Sequence, residues 1–434
     1  MAVDPRQVVA GFLTLSMFVM LGNMIKHDHF SSGTEADLGM LGSIPICKQL
    51  SLEATGVEFS GVKVVDNAEI TDADRVGVEH LMDADEELKP CWTKPSPKVQ
   101  QSNGYITFSL TMGPEYHISQ ITDAVVIARY LGAALVLPEI RGNEVGKSRK
   151  FQDMYDVDKF LKSLHGVVTV LHELPATVSA KKPAVIRVPN RVTEEFIMET
   201  ILPIFHSNNY LRLAVVFPSV SLKPKETNNR DMDSTACLAM FSSLELKPEY
   251  SEVAKQMLHR LKELSKKSDG TVLAIDMQTD LLGKKSCKTI GGARRKGCYN
   301  PGEVLGFLKK VGFSANTTIY LTETWWNKGL NDLKEEFPHT YTKDDIMPAK
   351  KKGEFLKSGN TDLARALDLE ICSQSDMFVP ATSGLFYGHV AGKRIASGRT
   401  KILVPEPMSA SAQASDFIST YVAKKSHLAY SCYC

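Results

Sequence analysis

The 434-residue chain contains neither Gly-x-Gly-x-x-Gly nor Gly-x-x-x-x-Gly-Lys-Ser/Thr, so neither glycine pattern that wraps a dinucleotide or a nucleoside triphosphate can be invoked. Its eight cysteines include no Cys-x-x-Cys pair and no zinc-finger spacing, which removes the usual warrants for a structural zinc site or a thioredoxin-type centre. Charge of one sign is also missing, with 51 Lys and Arg against 50 Asp and Glu. A balance that close gives no general attraction to nucleic acid, and the KK and RRK runs read as solvated surface. No internal repeat or low-complexity tract stands out. No small-residue cleavage site follows the apolar N-terminal run, which leads into Lys26-His27-Asp28-His29-Phe30. A cleaved signal peptide is therefore disfavoured.

What is present starts with that run. Val8 to Ile25 carries no charge over 18 residues and lies between Arg6 and Lys26, close to the roughly 20 residues that span a bilayer. The expected order is a cytoplasmic tail at 1–7, a signal anchor at 8–25, a stem at 26–101, an N-terminal Rossmann-like domain at 102–250 and a C-terminal one at 251–434. The stem has an acidic run and clustered prolines, so little regular structure is expected there. With the body in the lumen, Asn316 of Asn316-Thr317-Thr318 is an N-glycan acceptor. An oxidising lumen also calls for disulfides. Cys287 and Cys298 bracket a basic glycine-rich loop and are the first candidates, two unpaired thiols being the alternative.

From Tyr105 the chain alternates strands and helices. Strands are expected at Tyr105–Leu110, Ala134–Leu137, Ala184–Val188, Leu211–Phe217, Val272–Asp276, Thr318–Leu321, Met377–Val379 and Ile402–Val404. Helices are expected at Ile118–Leu131, Tyr250–Leu264 and Pro301–Val311. That pattern means an α/β fold with mainly parallel sheets. The most suggestive segment is Ile371 to Arg394, read as a strand, a small-residue turn at Ala381 to Gly384 and a helix ending on Lys393 and Arg394. A strand end meeting a helix N-terminus favours a phosphate, and the two cations add to that field if they face the same crevice. An α/β turn without ligand is the competing reading.

Several segments together resemble the plant O-fucosyltransferase-like family of glycosyltransferases, and within it the mannan synthesis-related subgroup. They are the anchor MAVDPRQVVAGFLTLSMFVMLG, SLTMGPEYHISQITDAVVIARYLGAALVLP, ACLAMFSSLELKP, TIYLTETWW with EEFPHTYTKDDI, ALDLEICSQSDMFVPATSGLFYGHVAGKR and HLAYSCYC. The resemblance implies a single-pass type II Golgi membrane protein with a lumenal catalytic domain. It implies two facing Rossmann-like domains of the GT-B type, a GDP-sugar donor in the cleft, no cofactor and no metal. A polysaccharide or oligosaccharide acceptor follows, with a mannan synthase as a possible partner. Where the family pattern resembles NGGLNQMR, this chain has TMGPEYHI, keeping Gly113 but placing Glu115 at an asparagine position and Ile118 at an arginine position. Where it resembles HLRFE, the chain reads DMQTD, so Asp276 and Gln278 stand for histidine and for the arginine tied to the leaving phosphate. A third block reads CLAMFSSLEL, with Met240, Ser242 and Glu245 in place of asparagine, histidine and arginine. The block around Ser375, Asp376 and Gly384 matches best.

Moving a sugar off a nucleotide requires stabilising an oxocarbenium-like carbon and a departing phosphate. Gln278 has no charge, so Lys393, Arg394 or the Arg294-Arg295-Lys296 loop is expected to compensate. Ser375, Asp376, Ser383 and Gly384 complete the expected nucleotide-sugar set with Gly113. Glu115, His117 and Asp276 are the base candidates by type, against packing or capping roles for the first two. On this reading Asp376→Ala or Lys393→Ala lowers the rate sharply. The pairs Asp72/Asp74, Asp83/Asp85, Asp156/Asp158 and Asp231/Asp233 fit a manganese-dependent class by spacing alone, and no metal is expected. A non-catalytic relative that supports the mannan synthase is the alternative function, motivated by Gln278, Ile118 and Glu245.

Overall fold

Alternate burial of Ile106, Phe108 and Leu110 makes Tyr105–Thr111 strand β1, the centre of the first sheet. The computed structural model describes residues 88–97 and 102–434 apart from 142–147, 218, 225–227, 283–286, 288–296, 358–361 and 406–413. The expected tail, the anchor, most of the stem and the Arg294-Arg295-Lys296 loop lie outside the described residues. Among the described residues no helix is long and apolar enough to cross a membrane.

After β1, Gly113 is the extended N-cap and Pro114 opens helix α1 (Pro114–Leu131) at a position where no N–H is needed. Gly132, at φ 62°, closes it by donating to the carbonyls of Ala128 and Arg129. Strands β2 (Ala134–Val136), β3 (Glu139–Arg141), β4 (Ser148–Lys150), β5 (Val170–Leu171), β6 (Ala184–Arg187) and β7 (Tyr210–Ala214) complete the sheet. β7 flanks β1 on one side and β2 and β3 flank it on the other. Only β4 is antiparallel among these strands. The expected strand to Phe217 stops at Ala214, because its partner β6 ends opposite that residue at Arg187.

Helix α2 (Arg230–Phe241) packs on α1, and α3 (Pro248–Ser265) leads to the second sheet. On α3, Tyr250, Val253, Ala254, Met257, Leu258 and Leu261 form one buried stripe at helical spacing. Then come β8 (Val272–Asp276), α4 (Pro301–Val311), β9 (Thr318–Leu321), β10 (Thr340–Tyr341), α5 (Asp362–Gln374), β11 (Met377–Pro380) and α6 (Leu385–Ala396). The order β10-β9-β8-β11 is parallel throughout. Ile371, placed at the start of a strand by sequence, belongs to α5. Ile402–Val404 is extended beside β11 but joins it through one bridge, at Phe378 and Ile402. Pro380 has no N–H to carry the ladder further.

One continuous buried cluster runs from the first sheet through α1 and α3 to the face of the second sheet that carries Ala274, Tyr320 and Phe378. Ile275, Ile319 and Leu321 point the other way and pack with Phe307 of α4. The two lobes thus share a core. Both β1 and β8 end at the crevice between them, since Glu115, four residues past β1, interacts with Arg365 and Asp276 of the second lobe. Further along α1, Ser119 Oγ lies 3.3 Å from His389 Nε2 of α6.

Three disulfides are formed among the described cysteines: Cys91–Cys434, Cys237–Cys432 and the expected Cys287–Cys298. Cys372 is free and buried. The end of the stem is more ordered than its composition suggests. Lys89 and Cys434 exchange backbone hydrogen bonds of 3.0 and 2.9 Å, so the chain terminus supplies the partner this segment lacks locally.

Candidate functional site

The chain leaves β8 for β9 on one side and returns to β11 on the other. The β8/β11 boundary is therefore a topological switch point, where an open parallel sheet leaves a crevice at its carboxyl end. Asp276 and Gln278 stand at the exit of β8. At the exit of β11, Ser383 and Gly384 are exposed, and Gly384 takes φ 132° and ψ −162°, a conformation that favours glycine. No side-chain hydrogen bond caps α6 at Gly384, and the N-terminus of a helix favours an anion through its dipole and its first-turn amides.

Between these exits lies a residue that sequence reasoning missed. Arg365, from α5, donates from Nη1 to Asp276 Oδ1 at 2.7 Å and from Nη2 to Oδ2 at 3.4 Å. With its amide oxygen turned to the guanidinium, Gln278 accepts from Nη1 at 3.2 Å and Nη2 at 2.7 Å. The guanidinium carbon lies 3.4 Å from the centre of the Phe386 ring, in the first turn of α6. Gln278 thus binds the cation that its own position lacks. Asp276 takes its hydrogen-bonded countercharge from Arg365. The neighbouring Asp368 is held by Lys343 Nζ at 2.7 and 2.6 Å and by Tyr320 Oη at 2.8 Å. Asp276 has in addition the Thr322 hydroxyl, at 3.0 Å.

Across the crevice, burial raises the Glu115 carboxyl above the ordinary range, and the Arg365 charge opposes that shift. Its Oε2 is buried and has no hydrogen-bond partner. A Cβ at position 113 would fall 2.4 Å from this oxygen, so a larger residue there would push the Glu115 carboxylate out of its present position. Met112, at the position where the family pattern has a further glycine, is held at φ 66° and is 37% exposed. His117 turns inward. Its Nδ1 lies 2.7 Å from Tyr155 Oη, and burial lowers its pKa to about 4. It is a neutral packing residue, and the capping or packing alternative holds over the base.

Three expected ligand residues, Ser375, Asp376 and Arg394, are at the amino end of the second sheet, away from the crevice. Ser375 and Asp376 precede β11, and Asp376 Oδ2 accepts from the Val272 amide at 2.9 Å where β8 begins. The Ser375 hydroxyl is buried and points its one proton at the Met377 carbonyl, 2.9 Å away, with the Cys372 carbonyl at 3.2 Å. Arg394 is fully buried and donates to the carbonyls of Cys372, Ser375, Asp376 and Lys401. Because α6 runs antiparallel to β11, Arg394 sits about 14 Å from the helix start at 1.5 Å per residue. Lys393 is paired with Glu370. It lines a small space with Pro114, Ile118 and Tyr155.

The described aspartate pairs have ordinary roles. Asp156 caps a helix through the Lys159 amide, and Asp231 pairs with Arg129 at 2.8 Å. Among the described residues no group of three or more His, Cys, Asp or Glu is placed to hold a metal ion. A separate cavity of about 290 Å³, lined by Asp123, Arg191, Asn229 and Asp233, shares no residue with the crevice cluster.

Residues 105–396 match the family described as GDP-fucose protein O-fucosyltransferase. The chain is 49% identical over 436 residues to Protein MANNAN SYNTHESIS-RELATED 1 of Arabidopsis thaliana, covering 100% of both. It is 42% identical over 440 residues to Protein MANNAN SYNTHESIS-RELATED of Trigonella foenum-graecum, again covering 100% of both. Among solved structures it is similar to POFUT1 in complex with GDP-fucose, at 13% identity and a TM-score of 0.41, covering 71% of this chain and 98% of that one. The family match and the full-length relatives agree, and the chain belongs to the GDP-fucose protein O-fucosyltransferase family of glycosyltransferases.

Proposed function

We propose that the protein is a Golgi glycosyltransferase of mannan or glucomannan biosynthesis, which transfers a sugar from a GDP-sugar to an oligosaccharide or polysaccharide without a metal. The carrying observation is the uncapped N-terminus of α6 at the β8/β11 switch point, beside the Arg365 guanidinium. Backbone amides and a fixed cation are what a diphosphate leaving group needs. Full-length relatives named for mannan synthesis support the choice of pathway, and the family's description supports a GDP-linked donor. The non-catalytic reading rested on arginine positions left empty in this sequence. Arg365 returns a cation to the crevice from a different element, which weakens that objection.

Lumenal placement behind the 8–25 anchor accords with three disulfides in the body, since such bonds persist in oxidising compartments. Asn316 is exposed just before β9 and is proposed to carry an N-glycan there. Titration of the full-length, detergent-solubilised protein with GDP and UDP by calorimetry, without added metal, tests the donor. Preferential binding of GDP supports the proposal, and absence of binding by folded protein overturns it.

A further inference from the structure

We propose that donor binding takes Arg365 away from Asp276, so that one exchange of partners both neutralises the leaving diphosphate and uncovers Asp276 as the base for the acceptor hydroxyl. The inference rests on the crevice being a GDP-sugar site. Without donor, the Asp276 side chain is 1% exposed while Arg365 beside it is 15% exposed. An acceptor cannot reach that carboxylate while Arg365 is paired with it. The guanidinium is the mobile half of the pair. Its described hydrogen bonds go to the Asp276 and Gln278 side chains, its other contacts include the Phe386 face and the Asp368 carboxylate at 3.9 Å, and none of these is a backbone carbonyl.

A diphosphate at the α6 N-terminus comes within the same turn as Phe386 and offers Arg365 more negative charge than one carboxylate does. Gln278 can follow the guanidinium or donate to phosphate, because its amide carries both polarities. Asp276, left with the Thr322 hydroxyl as its described side-chain partner, then lies in a low-dielectric site without a countercharge. Asp368 does not undergo the same change, since Lys343 and Tyr320 remain on it.

In the transfer step the acceptor oxygen forms a bond to the anomeric carbon as the bond from that carbon to the β-phosphate oxygen breaks. The electron pair leaves on the phosphate oxygen beside Arg365. The acceptor proton passes to the Asp276 carboxylate. Donor must therefore bind before acceptor.

The test separates a competitor from a scaffold. Asp276→Asn in the full-length protein removes the charge that holds Arg365 but keeps the shape. GDP should then bind about tenfold more tightly, as expected when a charged competitor is removed. Turnover should fall by about a hundredfold or more, as expected for loss of a general base. The double variant Arg365→Ala/Asp276→Asn removes both charges together and avoids a buried unpaired carboxylate. It should fold, by thermal unfolding, and bind GDP more weakly than wild type. Unchanged or weaker GDP binding by folded Asp276→Asn overturns the exchange. Failure of the donor reading appears instead in the wild type, as no binding of GDP.

Discussion

The two ends of the second sheet each carry a carboxylate and an arginine, and they use them differently. At the amino end, Asp376 accepts from the Val272 amide and Arg394 donates to four main-chain carbonyls. At the carboxyl end, Asp276 and Arg365 hold one another and lean on Gln278, Thr322 and Phe386. A charge bonded to backbone cannot leave without breaking the fold. A charge bonded to side chains can change partners when a ligand arrives. The ends also differ in reach, because the crossover helices place ligands at strand carboxyl ends and leave the amino ends closed.

The strongest way to break this comparison is Arg394→Ala. Removing the donors of four buried carbonyls costs on the order of 5–10 kcal/mol, comparable to the whole stability of a domain. Loss of folded protein is expected, by yield and thermal unfolding, and Arg394→Lys should not restore it because an ammonium lacks the planar fork.

Next is acid. Burial lowers the pKa of His117 to about 4, His389 to about 3 and His427 to about 4. Unfolded histidines titrate near 6.5, so below that pH the unfolded state binds more protons than the folded one. This contribution to stability is complete above about pH 6.5 and falls as pH drops towards 4, by on the order of 2 kcal/mol per histidine at pH 5. Asp123, whose carboxyl pKa is raised by burial to about 7, contributes with the opposite sign in this window. Urea unfolding of wild type and of His389→Asn at about pH 6.5 and about pH 5 therefore isolates the histidine contribution, and an unchanged pH dependence in the variant would show that His389 is not held neutral.

Asp376→Ala sharpens the contrast. Loss of one hydrogen bond to the Val272 amide costs about 1 kcal/mol, while kcat/KM per folded molecule stays as in wild type. That reverses the expectation formed from the sequence, and a sharp fall in rate would return Asp376 to the site. The smallest effect belongs to the crevice rim. Met112→Gly removes a left-handed conformation held by a non-glycine residue and should raise stability by about 0.5 kcal/mol, net of the added freedom of the unfolded chain. A lower melting temperature would mean that the methionine side chain makes contacts worth more than the strain. Fragments for these measurements must begin before Cys91, because its disulfide partner is the terminal residue Cys434.

Much of the fold was legible. The runs at Val272–Asp276 and Thr318–Leu321 are buried on both faces and appear as uninterrupted apolar stretches, while Pro301 and Gly312 mark the ends of α4. The Cys287–Cys298 pair was legible because its loop is short. The other two disulfides join residues 343 and 195 positions apart, and no local pattern encodes such a closure. In the site, Gly113, Glu115, Asp276 and Gln278 were named from the family motifs they match or replace, and Ser383 and Gly384 from the strand–turn–helix pattern; the structure places all six at strand exits or helix starts. Arg365 was missed because it is in the first turn of α5, three residues from Asp362 and from Asp368, and no strand exit or glycine turn adjoins it in the sequence. Its pattern is that of an ordinary charged helix face.

The sequence by itself determined the α/β alternation, the parallel sheets and the turns at which a ligand can be held, since periodicity and glycine or proline placement act over a few residues. Tertiary structure alone decided which charges meet. Arg394 lies nearly three helical turns beyond the Gly384 turn, and α6 carries it away from the crevice. Arg365 is 89 residues from Asp276 in the chain and ends 2.7 Å from it. Electrostatic partnership depends on distance through space, and only the packing of α5 against the second sheet sets that distance.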